Sequence, residues 1–205
     1  MRKEPTMKLT NLIWVLALAG AVAACNSGPP ITGVPAPIAP PTGGSDGGGG
    51  LGVDNCTNAE DAMVYAGLEY TDCDGVMHTG DDASSAIGSD CIFGCDNSVP
   101  PLVGCPNQSA AVIGCFPNCP PEVIAAAATC VALCTQEATA TVSPPGLSDE
   151  CVACTGETVA CGAAFCTNLC SSDTNAPACI ECRCANNCIQ SFDECSGLPP
   201  DGDCG

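Results

Sequence analysis

Residues 146–170 read GLSDECVACTGETVACGAAFCTNLC, and residues 179–199 read CIECRCANNCIQSFDECSGLP. In the first stretch Leu147, Ser148, Asp149 and Glu150 supply an apolar residue, a capping hydroxyl and two carboxylates, the set that suits a helix N-terminus. A helix is therefore expected from there to about Cys170, with Gly156 and Gly162 as weak points. Upstream, Pro121 and Glu122 suit a first helical turn, and EVIAAAATCVALCTQEATATV continues in helix formers until Pro144-Pro145-Gly146 stops it. Downstream of the turn-like SSDTNAP, a third helix is expected over Ala178 to Cys195. There Cys184, Cys188, Phe192 and Cys195 form one stripe of a 3.6-residue period. Short connections favour antiparallel neighbours. The fold class expected is mainly α, small and disulfide-rich, with antiparallel helical hairpins or a three-helix bundle in the C-terminal half and an irregular Cys-rich N-terminal half.

The chain has 21 cysteines in 205 residues. Five pairs are separated by three residues: Cys91 and Cys95, Cys115 and Cys119, Cys130 and Cys134, Cys166 and Cys170, Cys184 and Cys188. On a helix such a pair shares one face. If the second and third helices run antiparallel, each presenting one pair, Cys166 meets Cys188 and Cys170 meets Cys184. The cysteine count alone allows a very large number of other pairings. The Cys-x-x-Cys motifs at Cys151/Cys154 and Cys179/Cys182 read as structural disulfides. A thioredoxin-like motif needs a βαβ setting, and c-type haem attachment needs His after the second Cys, where Thr155 and Arg183 stand.

Charge excludes one class of partner. Glu4 is the only acidic residue before Cys25, so 22 of the 23 Asp and Glu lie beyond it, against one of the four Lys and Arg, Arg183; that part carries a net charge of −21. A nucleic-acid binder needs clustered cations to displace phosphate counterions. Docking on anionic lipid through the protein surface needs them too. Aromatic residues make up only 3% of the chain, so large core side chains are scarce and covalent staples are expected in their place.

The N-terminus supplies an address. MRKEPTMK precedes LTNLIWVLALAGAVAA, a basic start followed by an apolar run ending in small residues, as in a secretory signal peptide. The run is short against the roughly 20 residues that span a bilayer. Val22-Ala23-Ala24-Cys25 resembles the lipobox of bacterial lipoproteins. That resemblance implies cleavage before Cys25 and acylation of its sulfur by diacylglycerol, with a further N-acyl chain such as palmitate. One chain binds marginally and two signals hold firmly, so three make a stable tether. Twenty cysteines then remain, an even number, as full pairing in an oxidising compartment requires. The domains expected are 1–24, lipoprotein signal peptide; 25–53, lipid-anchored Pro/Gly-rich linker; 54–119, irregular Cys-rich region; and 120–205, disulfide-stapled helical module. In region 54–119 one short helix, Ala59 to Glu69, is expected, followed by Gly-, Asp- and Pro-punctuated loop.

Few residues there carry chemistry. His78 is the only histidine, and no G-x-S-x-G elbow accompanies it. Asp72-Cys73-Asp74-Gly75 with Asp81-Asp82 offers oxygens to calcium, but no stretch fills the twelve-residue EF-hand frame. Thiolate zinc is chemically possible, although an exported chain would oxidise the thiols. No cofactor and no catalytic residue is expected.

The two opening stretches together, with their GLS-x-x-C-x-x-C start and F-x-x-C-S-G-L end, resemble the cysteine-rich module of secreted proteins and lipoproteins from myxobacteria and their relatives. The resemblance spans about Cys130 to Pro199 and implies location, helices and disulfides, with no established activity. The expectation is a lipid-anchored surface lipoprotein of the cell envelope, in the outer membrane facing periplasm or cell surface. Its role is structural or binding, with a basic protein or cell-surface partner. The alternative is a calcium or thiolate metal binder, or an extracytoplasmic enzyme using His78.

Overall fold

The computed structural model describes residues 54–200 and Cys204, apart from Asp96 and Ser172. The signal peptide, Cys25 and the linker lie outside the described residues. Seven helices and one small hairpin follow in chain order: α1 (Ala59–Gly67), β1 (Glu69–Thr71), β2 (Met77–Thr79), α2 (Gly80–Phe93), α3 (Pro106–Cys115), α4 (Pro121–Val142), α5 (Asp149–Cys170), α6 (Pro177–Ala185) and α7 (Cys188–Ser196). The fold is mainly α and disulfide-rich, as its sequence predicts.

Helix α5 is the central element, packed against α2, α3, α4, α6 and α7. Its Ala, Gly, Thr and Cys side chains are short on every side, so neighbours can approach from several directions at once. Ser148 caps it, its hydroxyl accepting the Cys151 N–H at 3.3 Å. Helix α4 runs antiparallel to α5. Gln136 bonds the Asp149 carboxylate, and a turn further on Ala128 and Ala132 face Gly156. A Cβ on Gly156 would collide with the Ala128 carbonyl and lie 3.1 Å from Ala132 Cβ. The glycine that weakens the helix locally is what lets the two backbones meet.

In α4 the buried residues Ala127, Val131, Cys134, Thr135, Ala138 and Thr139 form one helical stripe. The helix is long and apolar enough to cross a membrane by length and mean hydropathy, but here it is stapled into the core by Cys91–Cys134 and Cys105–Cys130. The main core joins both halves of the chain, with Leu68, Tyr70, Ile87 and Ile92 packed against Val112, Val131 and Val159. The change of sequence character near Cys119 is therefore not a break in packing.

Two features depart from the sequence reading. Region 54–119 holds α2 and α3 where loop is expected, while the expected short helix is present as α1. The expected third helix is two helices, α6 and α7, separated at Asn187 in the left-handed conformation, φ 59°. That break changes the disulfides. Cys184 and Cys188 no longer share a face, and the expected Cys166–Cys188 and Cys170–Cys184 bridges are replaced by Cys166–Cys182, Cys170–Cys179, Cys161–Cys188 and Cys184–Cys204. The antiparallel sense survives. With Cys154–Cys195 added, steps of seven, five and four residues along α5 meet steps of seven, six and three back along α7 and α6. The four bridges form a zipper whose register differs from the expected one because the partner strand of the zipper is kinked.

Candidate functional site

The β1–β2 hairpin pairs Tyr70 with His78 and Thr71 with Met77, and its turn is built by one carboxylate. Asp72 Oδ1 accepts the Asp74 N–H at 3.0 Å and the Val76 N–H at 2.8 Å, an Asx turn. Its other oxygen lies 2.9 Å from His78 Nε2. Burial on its own would raise the Asp72 pKa. The hydrogen bonds from His78 and the two backbone N–H groups, with the imidazole charge, together hold it below the ordinary carboxylate value. The Asp72-Cys73-Asp74-Gly75 stretch, weighed above as a calcium loop, thus spends one carboxylate on its own backbone.

Beside the hairpin lies a second carboxylate that the sequence reading did not single out. Asp90, in the last turn of α2, accepts the Tyr70 hydroxyl at 2.8 Å, and the Cys73 backbone N–H nearby favours its ionised form. An acid at a helix C-terminus is electrostatically misplaced, and that misfit in SDCIFGC was the available signal. Burial raises its pKa, against the lowering effect of those two donors. Burial, then the Asp90 bond, pushes the Tyr70 pKa above the ordinary phenol value.

Cys73 and Cys95 bond to each other next to Asp90. The two sulfurs and a carboxylate oxygen of Asp90 lie within 4.8 Å of one another, the one such group of three metal-ligating side chains among the described residues. As a disulfide the sulfurs carry no thiolate charge for a metal. Cys73 is also the one exposed cysteine among the described residues. The corner can share a proton between imidazole and carboxylate, and can present two sulfurs to a thiol reagent. Asp81 and Asp82 sit on the first turn of α2, exposed, outside the corner's hydrogen bonds.

The other candidate residues are not part of this site. Cys166, Cys170, Cys184 and Cys188 are all disulfide-bonded, along the α5 zipper or to Cys204. Neither Cys-x-x-Cys motif closes on itself: Cys151 joins Cys56, Cys154 joins Cys195, and Cys179 and Cys182 join α5. Of the five pairs spaced by three residues, only Cys115 and Cys119 bond to each other. Comparison with protein-family models, curated proteins and solved structures finds no match.

Proposed function

We propose that the chain is a lipid-anchored, cysteine-rich lipoprotein of the cell envelope with a structural or binding role, tethered through Cys25. The observation that carries this reading is one of parity. Ten bridges use every cysteine beyond Cys25, and the twenty-first stands directly after Val22-Ala23-Ala24. A fully paired set of this size suits an oxidising compartment outside the cytosol. The remaining thiol suits acylation.

The resemblance to the myxobacterial cysteine-rich module agrees with such a location. The module would stand beyond a Pro/Gly-rich stalk, presenting an acidic surface to a basic or cell-surface partner. In this reading His78 holds the hairpin turn and has no catalytic task.

Intact-mass analysis of protein taken from its native membrane, with and without reductant, tests the reading. The expected result is a chain starting at Cys25, carrying diacylglycerol and a further acyl chain, gaining 20 free thiols on reduction. An unacylated N-terminus downstream of Cys25, or cytosolic protein whose thiols alkylate without reduction, would overturn it. A second reading is favoured by the spacing of Cys73, Asp90 and Cys95: after reduction by a dithiol, the corner would hold a soft divalent cation. Zinc retained stoichiometrically by selectively reduced protein, and lost in Asp90→Ala, would support it.

A further inference from the structure

Residues 57–90 carry α1, the hairpin and most of α2, and Cys73 is the only cysteine among them. The Cys73–Cys95 bridge is therefore the one covalent staple on that span. It is also the bridge most open to attack. Of the ten bridges, seven hold at least one buried cysteine. Of the other three, Cys115–Cys119 closes a turn within its own segment and Cys184–Cys204 fastens the last described residue, and the four cysteines concerned are half-buried. Cys73, at the hairpin's turn, is exposed, and access to sulfur is a first condition for thiol–disulfide exchange.

The second observation is that the corner is held by other means. Tyr70 ties the hairpin to Asp90, and Thr71 exchanges backbone hydrogen bonds with Val99 at 3.1 and 3.4 Å. The Cys105 N–H donates to the Cys91 carbonyl at 2.7 Å, fixing the far end of the loop that contains Cys95. Leu68 and Tyr70 pack in the same core as Ile87 and Ile92. A bridge buried in the core opens only when the core does; this one lies outside those contacts. The Gly94 carbonyl lies 3.6 Å from Cys73 Sγ, an acceptor for the thiol that opening would release. Charge then selects the reagent. Asp74 follows Cys73 in sequence, and a carboxylate oxygen of Asp90 lies within 4.8 Å of both sulfurs, so an anionic thiol is repelled and a cationic one attracted.

We propose that Cys73–Cys95 is an exchange site at which a dithiol on the basic surface of a partner protein is oxidised. A thiolate of the partner attacks Cys73 Sγ. A bond forms between the partner's sulfur and Cys73, the Cys73–Cys95 bond breaks, and Cys95 leaves as a thiolate that takes a proton from water. The partner's second thiolate then attacks its own sulfur in this mixed disulfide. The partner's disulfide forms, and Cys73 leaves and is protonated in turn. Two electrons pass from the dithiol to the bridge, and the two protons the dithiol loses are regained at Cys73 and Cys95. The other nine bridges stay closed. This inference goes beyond the tethered scaffold, which stands or falls on the mass of its N-terminus, and holds whether or not the opened corner then takes up a cation.

The test exposes full-length oxidised protein to limiting dithiothreitol under native conditions, with acid quenching, alkylation and peptide mapping over time. Cys73 and Cys95 should be alkylated first, about tenfold or more ahead of any other pair. A monothiol has no second sulfur and stops at the mixed disulfide. Cysteamine should therefore be found on Cys73 with Cys95 free. Compared per thiolate, it should react several-fold faster than glutathione at low salt, with the gap closing at high salt. The Cys73→Ser/Cys95→Ser double variant should keep its near-UV dichroism and lose the fast phase. Another pair opening as fast, a mixed disulfide at Cys95, or glutathione matching cysteamine at low salt would overturn the proposal. So would loss of near-UV dichroism in wild-type protein in which only this pair has opened, a reading that does not depend on the variant folding.

Discussion

Asp61 lies fully buried on α1, and its carboxylate accepts the Ser148 backbone N–H and the Ser148 hydroxyl, both at 2.7 Å, as well as the Asn58 amide. The capping residue of α5 is itself held by an acid from another helix. Asp61→Ala strands those donors and should destabilise the fold by about 1 to 3 kcal/mol in denaturant titration, more than Ser148→Ala, expected at about 1 kcal/mol. At Gly156 the fault runs the other way. Gly156→Val forces α4 and α5 apart and should cost about 1 to 3 kcal/mol or more, although valine is no worse than glycine as a helix former. Asp72 and Asp90 give pH effects of opposite sign. With its folded pKa lowered, Asp72 adds stability above its unfolded value, and that is lost as pH falls through the folded one. With its folded pKa raised, Asp90 subtracts stability as pH rises from the unfolded value through the folded one. Melting temperatures of Asp72→Asn and Asp90→Asn across the acid range should therefore diverge from wild type in opposite directions.

Helices show what sequence reveals and what it withholds. The start of α5 was readable because a cap, two acids and a preceding Pro-Pro-Gly stop agree. The interruption between α6 and α7 was not read, though Asn186-Asn187 offers the residue most tolerant of a left-handed backbone after glycine. Cysteine periodicity masked it, since Cys184 and Cys188 match a continuous helix equally well. Helix α2 went unread for a different reason. GDDASSAIGSDCIF is poor in helix formers, and its stability comes from burial of Ala83, Ile87, Cys91 and Ile92 against α4 and α5, which local propensity does not see. At the candidate site, His78 and the Asp72 turn were legible locally. Asp90 depends on contacts distant in sequence. Partial reduction with peptide mapping should recover Cys166 linked to Cys182 and Cys170 linked to Cys179; a Cys166–Cys188 peptide would contradict the kinked zipper. Removing the Cys161–Cys188 bridge as a double serine variant should cost about 2 to 4 kcal/mol.

Across the whole molecule sulfur takes the place of large hydrophobic groups. One core cluster is Cys166, Cys170 and Cys179, another sets Cys56 and Cys151 beside Val64, Leu147 and Val152, and the chain has only four Phe, two Tyr and one Trp. Reduced protein should accordingly lose its fixed tertiary packing, seen as lost near-UV dichroism, while some helical signal remains. The start of the described chain lies along its end, with Asn55 and Cys56 donating backbone hydrogen bonds to the Cys195 and Ser196 carbonyls. Cys56–Cys151 and Cys154–Cys195 then carry the covalent path straight across α5. Tension applied between Cys56 and Cys195 would travel through sulfur and could draw out only the three-residue segment from Cys151 to Cys154, about 10 Å of contour. Once the bridges are cut, the same pull would release the 138 residues between Cys56 and Cys195, on the order of 460 Å. If the chain is tethered through Cys25 as proposed, its folded part would be nearly inextensible under load.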